Sequence, residues 1–175
     1  MHESVRDWVM RNTQQVAADA RVLEIGSWAV NGTIRELFDT PNYVGLDYRE
    51  GPGVDLVGSS HDIAELFDPG SFDIVLCLEM LEHDSNPWDT AQQIAAVLAP
   101  GGTAIITARG NGFPLHFRPD RWRFMRDGMR DLVDNAGLVL DRLEEDPQVS
   151  GWFVVAIKPD AVEEPKPVRR KNKAA

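Results

Sequence analysis

The sequence predicts an α/β protein: a Rossmann-like, doubly wound, seven-stranded and mostly parallel sheet with an antiparallel C-terminal hairpin strand. Three observations predict it. Short apolar runs alternate with segments of helical periodicity between residues 21 and 136, and that alternation gives a parallel sheet covered on both faces. Most of the runs are bounded by Gly, Pro or an acidic residue, as buried strands are. The last two runs, Leu138 to Leu143 and Trp152 to Ile157, are joined by too short a link for a crossover, so they pair as a hairpin.

Each element follows from its residues. In the stretch 3–18, Val5, Trp8, Val9 and Val16 recur at helical spacing. Arg21 to Gly26 (RVLEIG) is a buried strand closed by glycine. Asn31 to Phe38 reads as a helix, with Asn31 as its N-cap and Ile34, Leu37 and Phe38 on one face. Tyr43 to Asp47 is the second strand, and Gly51-Pro52-Gly53 the loop after it. Val54 to Val57 is a short third strand and Asp62 to Phe67 a helical turn. Phe72 to Leu78 (FDIVLCL) is the central strand. Pro87 to Leu98 is a helix stopped by Pro100-Gly101-Gly102, and Thr103 to Ala108 is the fifth strand. Residues 109–120, with two glycines and two prolines, form a long loop before a helix over Arg121 to Ala136 that Gly137 ends.

At 175 residues, one domain is expected over 1–158, with a disordered basic tail over 159–175. The formal charge is −10, and the stretch from Glu163 onward carries five basic and two acidic residues. The body is therefore more acidic still, and it repels a phosphate backbone. Nucleic acid is not the expected partner. Cys77 is the single cysteine. It sits in an apolar run and reads as a buried thiol in a reducing cytoplasm. No continuous apolar stretch suggests a signal peptide or a membrane span. Nothing in the sequence speaks to oligomeric state.

Ligands of doubly wound sheets bind beyond the carboxyl ends of the strands, so the residues there carry the chemistry. Gly26 lets the backbone approach a ligand closely. Asn31-Gly32, at the mouth of the expected helix, would face a negative group. Glu24 could face a cationic one. Asp47 stands 21 residues after Gly26, near the ~20-residue offset of an acid that bonds ribose hydroxyls. Asp62 and Ile63 could frame an adenine, with Asp62 equally suited to cap a helix. On a helix, Glu79, Glu82 and His83 would share a face, where they could hold a divalent metal or present His83 as a general base. The more economical reading of Glu82 and His83 is as hydrogen-bonding residues at a helix start, with no metal.

In order along the chain stand Arg21-Val22-Leu23-Glu24-Ile25-Gly26, Tyr43-Val44-Gly45-Leu46-Asp47, Phe72 through His83 (FDIVLCLEMLEH) and Leu98-Ala99-Pro100-Gly101-Gly102. Together they resemble the class I S-adenosylmethionine-dependent methyltransferases of the type 11 family, over roughly residues 20–157. The resemblance implies a cofactor site of Glu24, Gly26, Ser27, Gly32, Asp47, Tyr48, Asp62, Ile63, Leu78 and Glu79, and S-adenosylmethionine as cofactor. The loop departs from the family pattern, with Trp28 and Val30 where two further glycines are common. His116, Arg121 and Trp122 lie in a loop expected to overhang the transfer site, and Asp120-Arg121-Trp122-Arg123-Phe124 resembles members tied to sugar and cell-envelope chemistry. The expected activity is methyl transfer to a small-molecule or sugar-like acceptor, with His83 as the candidate base. Two alternatives stand: a catalytically idle S-adenosylmethionine-binding or interaction module, and a nicotinamide-dependent oxidoreductase. Trp28, standing in the second glycine of Gly-x-Gly-x-x-Gly, speaks against the latter.

Overall fold

The computed structural model describes residues 2–14 and 16–160. The expected basic tail lies outside the described residues from position 161 on. Seven strands form one sheet: β1 (Val22–Ile25), β2 (Tyr43–Asp47), β3 (Leu56–Val57), β4 (Phe72–Leu78), β5 (Leu98–Arg109), β6 (Val139–Glu145) and β7 (Gly151–Ile157). Their order is β3-β2-β1-β4-β5-β7-β6. β1 to β5 pair in parallel, and β7 runs antiparallel to both β5 and β6. The chain leaves β1 toward β2 on one side and later enters β4 on the other. The carboxyl ends of β1 and β4 therefore flank the switch point where such sheets bind ligands.

The two faces are covered unequally. On one, α3 (Pro87–Val97) and α4 (Arg126–Asn135) bury a core that includes Leu23, Val75, Ile94, Ile106 and Leu132. On the other, α1 (Glu3–Asn12) presses Val5, Trp8 and Val9 against Val22, Leu76, Ile105 and Phe153. The Trp8 and Phe153 rings lie 5.4 Å apart. β4 and β7 are apolar along most of their length because both of their faces are covered.

Several elements differ from the sequence reading, each for a local reason. α1 stops at Asn12, where the Asn12 and Thr13 side chains bond the carbonyls of Trp8 and Val9 at 2.7 and 2.8 Å. The helix expected over Asn31 to Phe38 is one 3-10 turn, Arg35–Leu37. Gly32 adopts φ +96°. Arg35 is drawn across to the Tyr43 carbonyl, at 2.7 Å, and to Asp55. No helix mouth therefore stands at Asn31-Gly32. β3 is shortened to two residues because Val54 closes a turn on the Gly51 carbonyl. β5 starts at Leu98 and loops Pro100-Gly101-Gly102 out between its pairings with Phe72 and Ile74. Arg121 to Phe124 are not helical: their N–H groups bond backwards, Arg121 and Trp122 to the Glu82 carbonyl and Phe124 to that of Arg109.

Trp8 is 1% exposed on α1, the α-helix that packs on its side of the sheet among the described residues. Trp8→Ala should therefore cost about 3–5 kcal/mol, read as a shifted midpoint in denaturant unfolding. An unchanged midpoint would mean that α1 is dispensable.

Candidate active site

A cavity of about 530 Å³ opens at the carboxyl ends of β1, β2, β4 and β5. Glu24, Gly26, Ser27, Gly32, Asp47, Tyr48, Leu78 and Glu79 all line it, as do His83, His116 and Arg121. The sheet thus brings together residues up to 97 positions apart in the chain. A larger groove, about 660 Å³, opens at the opposite end of the sheet near Asn12, Thr13 and Thr103. Two of its three charged residues, Arg21 and Asp73, are paired with each other at 2.6 Å, which leaves Asp19 as the third.

Three predicted residues are not in the cavity. Ile63 is fully buried in the core, and Asp62 is exposed at the start of the short helix α2 (Ile63–Leu66) without capping it. Ser59, Ser60 and His61 form that wall instead. Trp122 turns away, donating from Nε1 to the Asp84 carbonyl at 2.7 Å and meeting Trp88 edge-on at 5.6 Å. Its role is to fasten the loop to the turn after β4.

The floor of the cavity is built from backbone. Gly26 has φ +80°, and a side-chain carbon there would meet Met80 at 3.0 Å. Asp47 accepts the N–H of Trp28 and that of Arg49, each at 3.3 Å, which fixes its carboxylate at the tip of β2. Trp28 is no obstruction: its indole packs over Gly51, and the Arg49 guanidinium stacks 3.6 Å from its centroid. The Ser27 hydroxyl is buried with no partner among the described residues. Beneath it, Glu24 is 6% exposed and accepts a 2.8 Å bond from the Tyr43 hydroxyl. Burial pushes the Glu24 carboxyl up to about 7.

The other half of the cavity belongs to the turn after β4 and the loop after β5. Glu79, Glu82 and His83 are not on a helix. Glu79 sits at φ +54°, with its N–H on the Thr107 carbonyl and hydroxyl at 3.0 Å, a strained position of the kind found at functional sites. Its carboxylate is paired with Arg109. Glu82 is 3% exposed, one of its oxygens lacks a partner, and burial pushes its carboxyl up to about 7. His83 Nδ1 bonds the Pro119 carbonyl at 2.7 Å. The three therefore point to different partners, and no three His, Cys, Asp or Glu side chains among the described residues are grouped as metal ligands.

Sequence reasoning missed Arg109, His2 and His61. Arg109 ends β5, is 3% exposed and lines the cavity, and its place just past an apolar strand was a usable signal. His61 bonds Asp84 at 2.7 Å. His2 is brought in by α1, edge-on to Phe113, and nothing in its neighbourhood in the chain marks it.

A family model of the methyltransferase domain matches residues 1–140. The ubiquinone biosynthesis O-methyltransferase of Xanthomonas campestris is 38% identical over 74 residues, which is 42% of this chain. The chain covers only 28% of that relative's length. Among solved structures, the 1,6-didemethyltoxoflavin-N1-methyltransferase of Burkholderia thailandensis, with 1,6-didemethyltoxoflavin and S-adenosylhomocysteine bound, has a TM-score of 0.70 at 17% identity, over 90% of this chain and 79% of that one. The [4+2]-cyclase SpnF also reaches 0.70, at 15% identity over 89% and 81%. At such identities the likeness is one of fold.

The Glu24 carboxyl is raised to about 7 by folding, from an ordinary 4.5. The native state then holds the proton more tightly, and stability from this group falls as pH rises through that window. Glu24→Gln should be more stable than wild type by about 1–3 kcal/mol near pH 8, with the difference vanishing near pH 4.5. Parallel denaturation curves at every pH would contradict the buried, proton-holding carboxyl.

Proposed function

This chain belongs to the methyltransferase-domain family, and we propose that it binds S-adenosylmethionine at the carboxyl ends of β1, β2 and β4 and transfers its methyl group to a hydroxyl of a small-molecule acceptor. One observation carries the reading. A carboxylate fixed by backbone N–H groups, a buried acid, a glycine floor and a buried hydroxyl without a partner among the described residues meet in one cavity at the switch point.

The donors fit such a ligand. Asp47 offers carboxylate oxygens to ribose hydroxyls, with Tyr48 beside it. Ser59, Ser60 and His61 wall the place where a base would lie. Gly26 and the backbone of Leu78 and Glu79 leave room for an amino-acid chain, and Glu24 and Ser27 supply an acid and a hydroxyl to its polar end. The chemistry S-adenosylmethionine supplies when bound is an electrophilic methyl group, so the protein's own part is alignment, exclusion of water and care of one proton.

His83 suits the proton. A carbonyl can only accept, so the bond to Pro119 requires the hydrogen on Nδ1 and leaves the Nε2 lone pair for an acceptor hydroxyl. Arg121 holds the same residue by its carbonyl at 2.7 Å. The O-methyltransferase named among the relatives supports a hydroxyl acceptor. The formal charge of −10 argues against nucleic acid. No helix among the described residues is long and apolar enough to cross a membrane. The single buried thiol suits a cytoplasmic protein.

A second reading, a cofactor-binding module that transfers nothing, draws on Trp28 in the loop and on the cyclase that shares the fold. Calorimetry tests the cofactor site that both readings share, and turnover separates the enzyme from the idle module. S-adenosylhomocysteine should bind wild type with micromolar affinity and Asp47→Ala at least about tenfold more weakly, as fits the loss of a charge-assisted bond. His83→Ala should keep that affinity and lose about 100-fold in turnover on a hydroxyl acceptor. Absence of binding at millimolar ligand would sink the reading, and unchanged turnover in His83→Ala would remove the base.

A further inference from the structure

The chain is acidic, yet its four histidines, His2, His61, His83 and His116, all line the one cavity. About half of the described arginines meet a carboxylate. Arg6 is paired with Glu36, Arg21 with Asp73, Arg35 with Asp55 and Arg123 with Asp120. Arg109, inside the cavity, is held between Glu79 and Asp146.

Three arginines of the cavity meet no carboxylate among the described residues: Arg49, which stacks on Trp28 beside Asp47, and the neighbours Arg118 and Arg121. The latter two line the cavity on the side away from Asp47. The acids of that side are already committed. Glu79 is spent on Arg109, Asp84 accepts from His61, Thr90 and the Asn86 N–H, and burial holds the Glu82 carboxyl near 7. Two guanidinium groups without anions, at the mouth of a cavity in a protein of charge −10, make a fork for an oxyanion. Beside them Phe113, His116 and Phe117 stand in edge-to-face contact, with centroids 6.1 and 5.0 Å apart. The Phe113 ring is itself faced by the Arg109 and Arg123 guanidinium groups, 4.5 and 5.7 Å from its centroid, so the exposed Phe117 ring is the one that offers flat apolar contact.

Building on the methyltransferase reading, we infer that the acceptor is a small planar oxyanion. It is a hydroxylated ring bearing a carboxylate or a phosphate, bound by Arg118 and Arg121 against the Phe117 ring with its hydroxyl toward His83. A polyanion is excluded by the charge of the whole chain, whereas a single oxyanion meets mainly the local fork.

The test needs no knowledge of the true acceptor. Benzoate and phenyl phosphate, with benzamide and benzylamine as neutral and cationic counterparts, are titrated into protein saturated with S-adenosylhomocysteine. The imidazole signals of the four histidines are followed by NMR. One or both anions should shift the His83 and His116 signals and saturate, and the one that binds tighter names the oxyanion. The neutral and cationic probes should leave these signals in place. Arg118→Gln, at an exposed side chain that makes no hydrogen bond, should weaken anion binding several-fold, and the Arg118→Gln/Arg121→Gln pair at least about tenfold. If neither anion shifts these signals, or if benzamide shifts them equally, the inference is overturned. Saturation by S-adenosylhomocysteine in the same sample keeps that failure distinct from failure of the cofactor site.

Discussion

The upper rim of the sheet is tied together by one buried guanidinium. Arg109, the last residue of β5, pairs with Glu79 just after β4 and with Asp146 between β6 and β7. Asp146 in turn accepts the Ser4 hydroxyl at 3.1 Å, which ties down α1, and the N–H groups of Gln148 and Val149. The Arg109 carbonyl receives Phe124 at 2.8 Å, and its guanidinium lies 4.5 Å from the Phe113 ring centroid. A buried charge stripped of its partners costs about 3–5 kcal/mol. The geometry of the turn after β4, of the loop after β5 and of α1 is therefore set jointly. This is why a residue as remote as His2 reaches the same cavity as Glu79.

The cavity carries both signs of charge on each of its sides: Arg49 stands beside Asp47, and Glu79, Glu82 and Asp84 stand among the histidines and arginines. Its β1–β2 side holds Glu24 and Asp47, of which Asp47 is pinned by backbone N–H groups and Glu24 by the Tyr43 hydroxyl. Its other side gathers His83, His116, Arg118 and Arg121. A ligand with a cationic sulfonium and a polar nucleoside matches the first side, and an anionic acceptor matches the second. The turn of Leu78 to His83 stands between the two sides, and strain at Glu79 is offset there by two hydrogen bonds from its N–H.

The sheet was legible because its strands are apolar, short and punctuated. Seven strands and the terminal hairpin stand where the runs of Val, Leu and Ile put them. The first-strand glycine and the second-strand acid were legible for a related reason: the topology requires chemistry at strand ends, and the chain has Gly26 and Asp47 there. What lay between strands was not. The pattern Ile34, Leu37 and Phe38 fits a helix, but Arg35 is captured by Asp55 and the Tyr43 carbonyl from another strand, and periodicity cannot register such a pairing. Glu79 to His83 likewise look helical by spacing, while the Glu79–Arg109 pair demands a left-handed turn. Asp62 and Ile63 miss the cavity by only one or two residues. His61 occupies the wall because it reaches Asp84, 23 positions further on. In each instance a long-range polar contact overrode a local preference.

The most direct measurement is a crystal structure of the protein with S-adenosylhomocysteine. The account predicts the ribose on Asp47, the adenine against Ser59 to His61, the amino-acid end over Gly26 near Glu24 and Ser27, and the sulfur turned toward His83. Density for the ligand in any other place, or an empty cavity at millimolar ligand, would contradict it.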